Sequence, residues 1–135
     1  MGFLYGAMDL TIDEKWEYQL HQHLHVVAYF LSPHFQYDDN FSNHPEIKLG
    51  LYTCMDKFIV DQVERNKANI HIDAFRKKEG HFGFQQAKAT CKTSIPADWW
   101  IQFGDGTSEQ QKFAVRILGL TCFASGCEHN WSSFN

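Results

Sequence analysis

Three features of the 135-residue sequence predict an all-α fold, an irregular array of helices. Several stretches place apolar side chains at alternating steps of three and four, the stripe of an amphipathic helix. The prolines, at positions 33, 45 and 96, stand at the edges of such stretches, where helices start or stop. No pair of alternating apolar segments flanks a short Gly/Asn/Asp turn, so no β-hairpin is signalled.

The first predicted helix covers 13–31, with Trp16, Leu20, Leu24, Val27 and Leu31 as its stripe and Pro33 as its stop. Residues 33–43 mix rings with turn formers and read as a packed loop. A second helix opens after Asn43 or His44, takes Pro45 into its first turn and runs to about Asn66. Its inner positions are Ile47, Leu51, Met55, Phe58, Ile59 and Val63, and Gly50 within it costs about 1 kcal/mol relative to alanine. Ala68 to Lys78 reads as a shorter helix through Ile70, Ala74 and Phe75, although the alternation Ile70-His71-Ile72-Asp73 also suits a strand. Its basic end, Arg76-Lys77-Lys78, complements the helix dipole and is closed by Gly80. Gly80 and Gly83, with Phe82 and Phe84, break the pattern before a weak helical run from Gln85 to Cys91. Pro96 opens a helical segment carrying Trp99, Trp100 and Phe103. Gly104 to Ser108 is a break with Ser108 as a candidate cap. The last helix spans Glu109 to Leu120, with Phe113, Ile117 and Leu120 inward and Ala114 and Leu118 beside them.

Composition narrows the function classes. A net charge of −4, 44% apolar and 21% charged residues are ordinary for one soluble domain and exclude collagen-like and disordered chains. The longest apolar run, Val26 to Leu31, is about a third of the roughly 20 residues that span a bilayer, so no membrane partner is expected. An acidic balance argues against self-sufficient DNA binding, which needs clustered cations. Cys54, Cys91, Cys122 and Cys127 contain no Cys-x-x-Cys pair and read as free, mostly buried thiols. With 12 Phe, 5 Tyr and 4 Trp, the ring surface calls for a thick core or a partner.

Spacing alone yields no catalytic constellation. His21 and His25 share a helix face, but His23 points elsewhere and no third ligand is supplied. Cys122, Cys127 and His129 lack the paired Cys element of a zinc site. Neither a nucleophile elbow nor a phosphate-binding Gly-rich loop is present. No metal and no cofactor is expected.

Four stretches, taken together and in order, carry more. They are Gln19-Leu20-His21 to Leu24-His25; Ala28 to Pro33 with Phe35-Gln36-Tyr37; Pro96-Ala97-Asp98-Trp99-Trp100; and Cys122 to Ser132, which contains Ser125-x-x-Glu128-x-x-Trp131-Ser132. In this arrangement the chain resembles the C-terminal part of a plant hAT-type transposase, an RNase H-like superfamily. The resemblance implies a helical segment over 1–92 and a truncated C-terminal dimerisation region over 93–135, forming one structural unit. It implies a fragment, since the family's zinc finger and two catalytic aspartates lie upstream of the matching part. Glu128 matches the family's third catalytic carboxylate, but one carboxylate cannot hold the paired divalent metals of that chemistry. Two departures bear on this: His129 stands where the family has Arg, losing a permanent charge, and the basic stretch after the matching Ser is missing. The implied function is a non-catalytic remnant, located in the nucleus, that dimerises with itself or with a related hAT transposase. The alternative is a DNA-binding or transposition-regulating protein acting with a full-length transposase. Dimerisation would use Trp99, Trp100, Phe103, Phe113, Ile117 and Trp131. Because those rings pack on missing parts in the family, they are expected to form an exposed apolar patch here.

Overall fold

A computed structural model describes residues 12–42 and 44–125. Among these residues the chain is helical without strands, so the all-α expectation holds. The helices are α1 (Ile12–Leu31), α2 (Pro33–Gln36), α3 (Pro45–Phe58), α4 (Gln62–Arg76), α5 (Gln85–Thr90), α6 (Pro96–Phe103) and α7 (Ser108–Ser125). Two 3₁₀ turns, Gly80–Gly83 and Asp105–Thr107, lead into α5 and α7.

Helix α1 buries Leu24, Val27 and Leu31, as its stripe predicts, while the Trp16 side chain lies outside the described residues. Pro33 does more than stop it. Ser32 adopts extended dihedrals and its hydroxyl accepts the His34 N–H, so Ser32-Pro33 caps and opens α2 inside the segment expected to be a loop. Helix α3 then runs back along α1. Gly50 faces α1 so closely that a Cβ would sit 3.2 Å from Val27 Cγ2 and 3.5 Å from the His23 carbonyl oxygen. Its propensity cost is therefore the condition for close approach of two helices.

The long helix expected from Pro45 to Asn66 is broken at Ile59-Val60-Asp61. Ile59 is extended, and the Asp61 carboxylate caps α4 by accepting the Glu64 N–H at 2.9 Å. Arg65 locks the turn, donating from Nε and Nη2 to the Ile59 carbonyl and from Nη2 to the Val60 carbonyl. The break rotates the register of α4. Val63 and Ile70, both expected inside, are 61% and 70% exposed, and Ala68 and Phe75 take the core positions. Helix α4 continues through residues 70–73, so the strand alternative is not realised. Its end is set two residues earlier than expected, by Lys78 in the left-handed region (φ 60°). There Glu79 N–H donates to the Ala74 carbonyl and Lys78 N–H to the Phe75 carbonyl, the Schellman pattern.

The interior is a cluster of rings. Phe75 stands at its centre, 4.7 Å from Trp100, 5.3 Å from Phe82 and 5.7 Å from Phe30 between centroids. Trp99 and Trp100 are fully buried, and each satisfies its indole N–H on a backbone carbonyl: Trp99 on Ala87 at 3.0 Å, Trp100 on Leu31 at 2.7 Å. Gly104 follows because a Cβ there would lie 2.6 Å from the Trp100 carbonyl oxygen and 2.7 Å from its ring. Side chains from both sides of residue 92 join this one cluster. Helix α7 lays Gln110, Phe113, Ala114, Ile117, Leu118 and Thr121 against it. Leu120, expected inward, is 38% exposed, because the α7 stripe turns through Thr121 instead.

Gln110 is the anomaly of that stripe. It is 1% exposed, and neither its amide nitrogen nor its amide oxygen has a hydrogen-bond partner among the described residues. An unpaired buried polar group costs about 1–3 kcal/mol. Gln110→Leu, close in volume, is expected to raise unfolding free energy by about 1–2 kcal/mol in urea titration with an unchanged m-value. A loss of stability would mean that the amide is paired after all.

Candidate functional site

The residues singled out from the sequence divide cleanly. Trp99, Trp100, Phe103, Phe113 and Ile117 are all buried within this chain's own core. These rings are not bare as expected, because Phe75, Phe82, Phe30 and α7 supply the cover that the resemblance assigned to missing parts, while Ile95 and Ile101 beside them are exposed. Glu128 and Trp131 lie outside the described residues, as do Cys127 and His129. Among the described residues no three His, Cys, Asp or Glu side chains converge as a metal site would require. No described helix is long and apolar enough to cross a membrane.

The exposed large apolar side chains are spread over the described residues, with Tyr18 on α1, Phe84 before α5, Ile95 and Ile101 beside the tryptophan pair, Leu120 on α7, and a further group on α3 and α4. Leu49 and Tyr52 are exposed on α3, Val63 and Ile70 on α4, and Val60 between them is 86% exposed. Sequence reasoning missed this surface because it took Val63 and Ile70 for core. A signal was available: Asp61-x-x-Glu64 marks a helix start, and recognising it would have rotated the α4 stripe.

Between the two helices runs an open cleft of about 620 Å³. Phe30, Ile47, Leu51 and Ile72 contribute apolar lining, and Tyr52 and Ile70 flank it. The end next to the start of α3 is basic. Arg76 Nη2 donates to Asp73 Oδ1 at 2.7 Å, and Lys48 lines the same cleft. The hydrogen bond and charge of Arg76, helped by Lys77 and Lys48, hold the Asp73 carboxyl below the ordinary aspartate range. Asp73 is thus a fixed anion within a ring of cations. At the loop end Asp56, Asp61 and Glu64 are exposed beside Lys57 and Lys67, with Arg65 3.6 Å from Asp56, so acids and bases balance there.

A second, smaller pocket is lined by Gln36, Tyr37, Asp38, Asp39, Lys78, Lys88 and Cys91. Its groups are structural. The Tyr37 hydroxyl donates to the Phe82 carbonyl at 2.6 Å, and burial pushes its pKa far above the usual tyrosine range. Lys78 Nζ donates to Gln36 Oε1 and to the Arg76 carbonyl, and sits 4.9 Å from the centre of the Tyr37 ring. Lys92 bridges Asp38 and the His34 carbonyl. Burial also raises the Cys91 thiol above its ordinary value. Neither a thiolate nor a phenolate is favoured here, while burial lowers the Lys78 pKa below the usual lysine range.

Comparison of the chain with protein-family models, with curated proteins and with solved structures found no match in any of the three.

The buried acids set the alkaline limit of the fold. Cys54, fully buried on α3, has its thiol pushed up by desolvation to about 12 from an ordinary 9.0, and Tyr37 is raised as well. Above pH 9 the unfolded chain releases protons that the folded chain retains, so ν_U is smaller than ν_N and stability falls as pH rises. Thermal melts followed by circular dichroism should show the midpoint dropping steadily from about pH 9 upward. Cys54→Ala should lessen the slope at the alkaline end. A flat profile between pH 8 and 11 would contradict the burial of both groups.

Proposed function

We propose that this chain works by protein association, as a non-catalytic relative of the C-terminal part of hAT transposases. It pairs with itself or with a related transposase. The observation that carries association is the apolar surface of α3 and α4, which the core leaves in solvent although it buries every described ring of the tryptophan segment. Isolated exposed apolar side chains are commonplace, but four aliphatics and a tyrosine within residues 49–70, with Tyr52 and Ile70 lining a cleft, give the α3 and α4 segment an apolar exposure of the kind that accompanies protein contacts. The transposase relationship rests on the four sequence stretches alone, and the nuclear location follows from that likeness.

Catalysis is no part of this proposal, since within these 135 residues only Glu128 matches a catalytic carboxylate of the family. A DNA-binding regulator also has little support. Of the basic cluster at the end of α4, Arg76 is paired with Asp73 and Lys78 is packed on Tyr37, within a chain of net charge −4.

Sedimentation velocity of the full chain at concentrations of about 5–200 μM tests association. A saturable increase in mass is expected, in the chain alone or on adding a hAT transposase C-terminal region. A monomer throughout, with no complex formed, overturns the reading. Cleavage of labelled DNA in Mg²⁺ or Mn²⁺ that is lost in Glu128→Gln would overturn its non-catalytic part.

A further inference from the structure

We infer that the pocket between the end of α4 and the two 3₁₀ turns binds small neutral aromatic alcohols, recognised through the Nε2 atom of His81. The inference stands apart from association, since no residue of the exposed α3–α4 group lines this pocket.

The first 3₁₀ turn presents His81 at the surface. Gly80 opens the turn in the left-handed region (φ 59°), and a Cβ at Gly83 would lie 2.5 Å from the Lys78 carbonyl oxygen. Within the turn Phe82 is buried against Phe75 and Trp100, and its neighbour His81 stays half-exposed beside the second 3₁₀ turn. Three groups there fix the imidazole. Nδ1 is 3.0 Å from Asp105 Oδ1. A Cβ on Gly106 would sit 3.4 Å from both Nδ1 and Cε1, so the missing side chain lets the ring lie close on the backbone. The Phe84 ring is tilted against it, 5.0 Å between centroids.

The carboxylate settles which nitrogen carries the proton. Asp105 can only accept, so in the uncharged ring Nδ1 holds the hydrogen and Nε2 presents a lone pair. Nε2 has no hydrogen-bond partner among the described residues.

His81 borders a cavity of about 260 Å³, to which Ala74, Phe82 and Phe103 contribute apolar wall. Drug-sized ligands occupy pockets of about 300–1,000 Å³, so this one suits a single ring with short substituents. Two phenyl groups in the wall favour an aromatic ring. The Thr107 hydroxyl, also in the wall, donates to the Gly104 carbonyl at 3.3 Å, so the lining side chains offer acceptors rather than donors. A ligand that brings its own donor is therefore preferred. The charged neighbours are both exposed acids, Glu79 in the wall and Asp105 on His81. They work against an anion, and Asp105 is already engaged by the imidazole. A phenol meets these conditions together, its hydroxyl donating to Nε2 and its ring lying between Phe82 and Phe103.

Backbone-amide NMR of the full chain, titrated in mildly alkaline buffer with phenol, anisole, benzoate and benzylamine, tests the site. Phenol should saturate with a dissociation constant on the order of 1 mM, shifting residues 79–84 and 103–107, and should bind at least about fivefold tighter than anisole, which keeps the ring and lacks the donor. Benzoate should not saturate, and the His81 ring nitrogens should report the Nδ1–H tautomer. His81→Phe keeps a ring and removes the acceptor, so it should abolish the phenol–anisole difference. Asp105→Asn releases the tautomer and should narrow that difference by about threefold; should melting curves show His81→Phe misfolded, this exposed substitution decides. Phenol and anisole within about twofold of each other, no saturable shift up to about 50 mM, or an undiminished difference in both variants overturns the assignment. Benzylamine binding more tightly than phenol overturns it too, because the carboxylates and not the imidazole would then select the ligand.

Discussion

The indole N–H of Trp100 donating to the carbonyl of Leu31 is the contact on which the fold turns. It joins residues 69 apart in sequence and settles two difficulties together. Leu31 ends α1, and the last carbonyls of a helix have no partner within it. Trp100, wholly buried, has a polar N–H that must not be left unpaired. Each satisfies the other, and the bond pins α6 beneath the end of α1. Phe75 then packs on Trp100, Phe82 and Phe30, so helices α1, α4 and α6 and the first 3₁₀ turn meet around one ring. Breaking that bond would therefore loosen elements far apart in sequence, leaving Phe30 against Phe75 as the ring contact at the end of α1.

The same cluster explains which parts of the fold were legible in the sequence. Helix existence was readable wherever apolar steps of three and four ran uninterrupted, as in α1 and α7, because core burial and local periodicity agree there. The α3–α4 break was hidden by coincidence. Ile59 and Val63 are four apart and mimic a continued stripe, but Ile59 is extended and Val63 lies one helix further on, in solvent. The cost of breaking the helix is met by a carboxylate cap and a guanidinium on two carbonyls, polar devices that a hydrophobic pattern does not register. Leu120 was misplaced for a smaller reason: Thr121, one residue later, turns inward and returns its hydroxyl to the Ile117 carbonyl, which a scan for apolar residues overlooks.

For the candidate site the sequence was least informative. A tryptophan pair is equally suited to a core or an interface, since both reward large rings whose N–H groups find partners. Only the three-dimensional placement of Phe75 and Phe82 decides, and it decides for the core. Val63 and Ile70 gave the opposite illusion, looking like core because they are apolar and nearly periodic. Each assignment was a question of which element covers which, and that is a non-local property.

A completed core also changes the physics of association. Had the tryptophan rings been bare, several side chains, each forgoing about 1.5–3 kcal/mol of burial, would have consumed most of a margin of about 5–15 kcal/mol. The partner would then have been part of the fold, and monomer and unfolded chain would have been nearly the same state. With Trp99, Trp100, Phe103, Phe113 and Ile117 buried in cis, the described fold satisfies its largest apolar groups without a partner. Any association through an exposed face would then be a separate equilibrium, adding to stability only RT ln(1 + [L]/Kd), which stays below about 1 kcal/mol when concentration is near Kd. Such a surface can be gained, tuned or lost by substitution at Leu49, Tyr52 or Ile70 without passing through an unfolded intermediate. A fold that does not depend on a contact leaves any such contact free to form and dissociate reversibly.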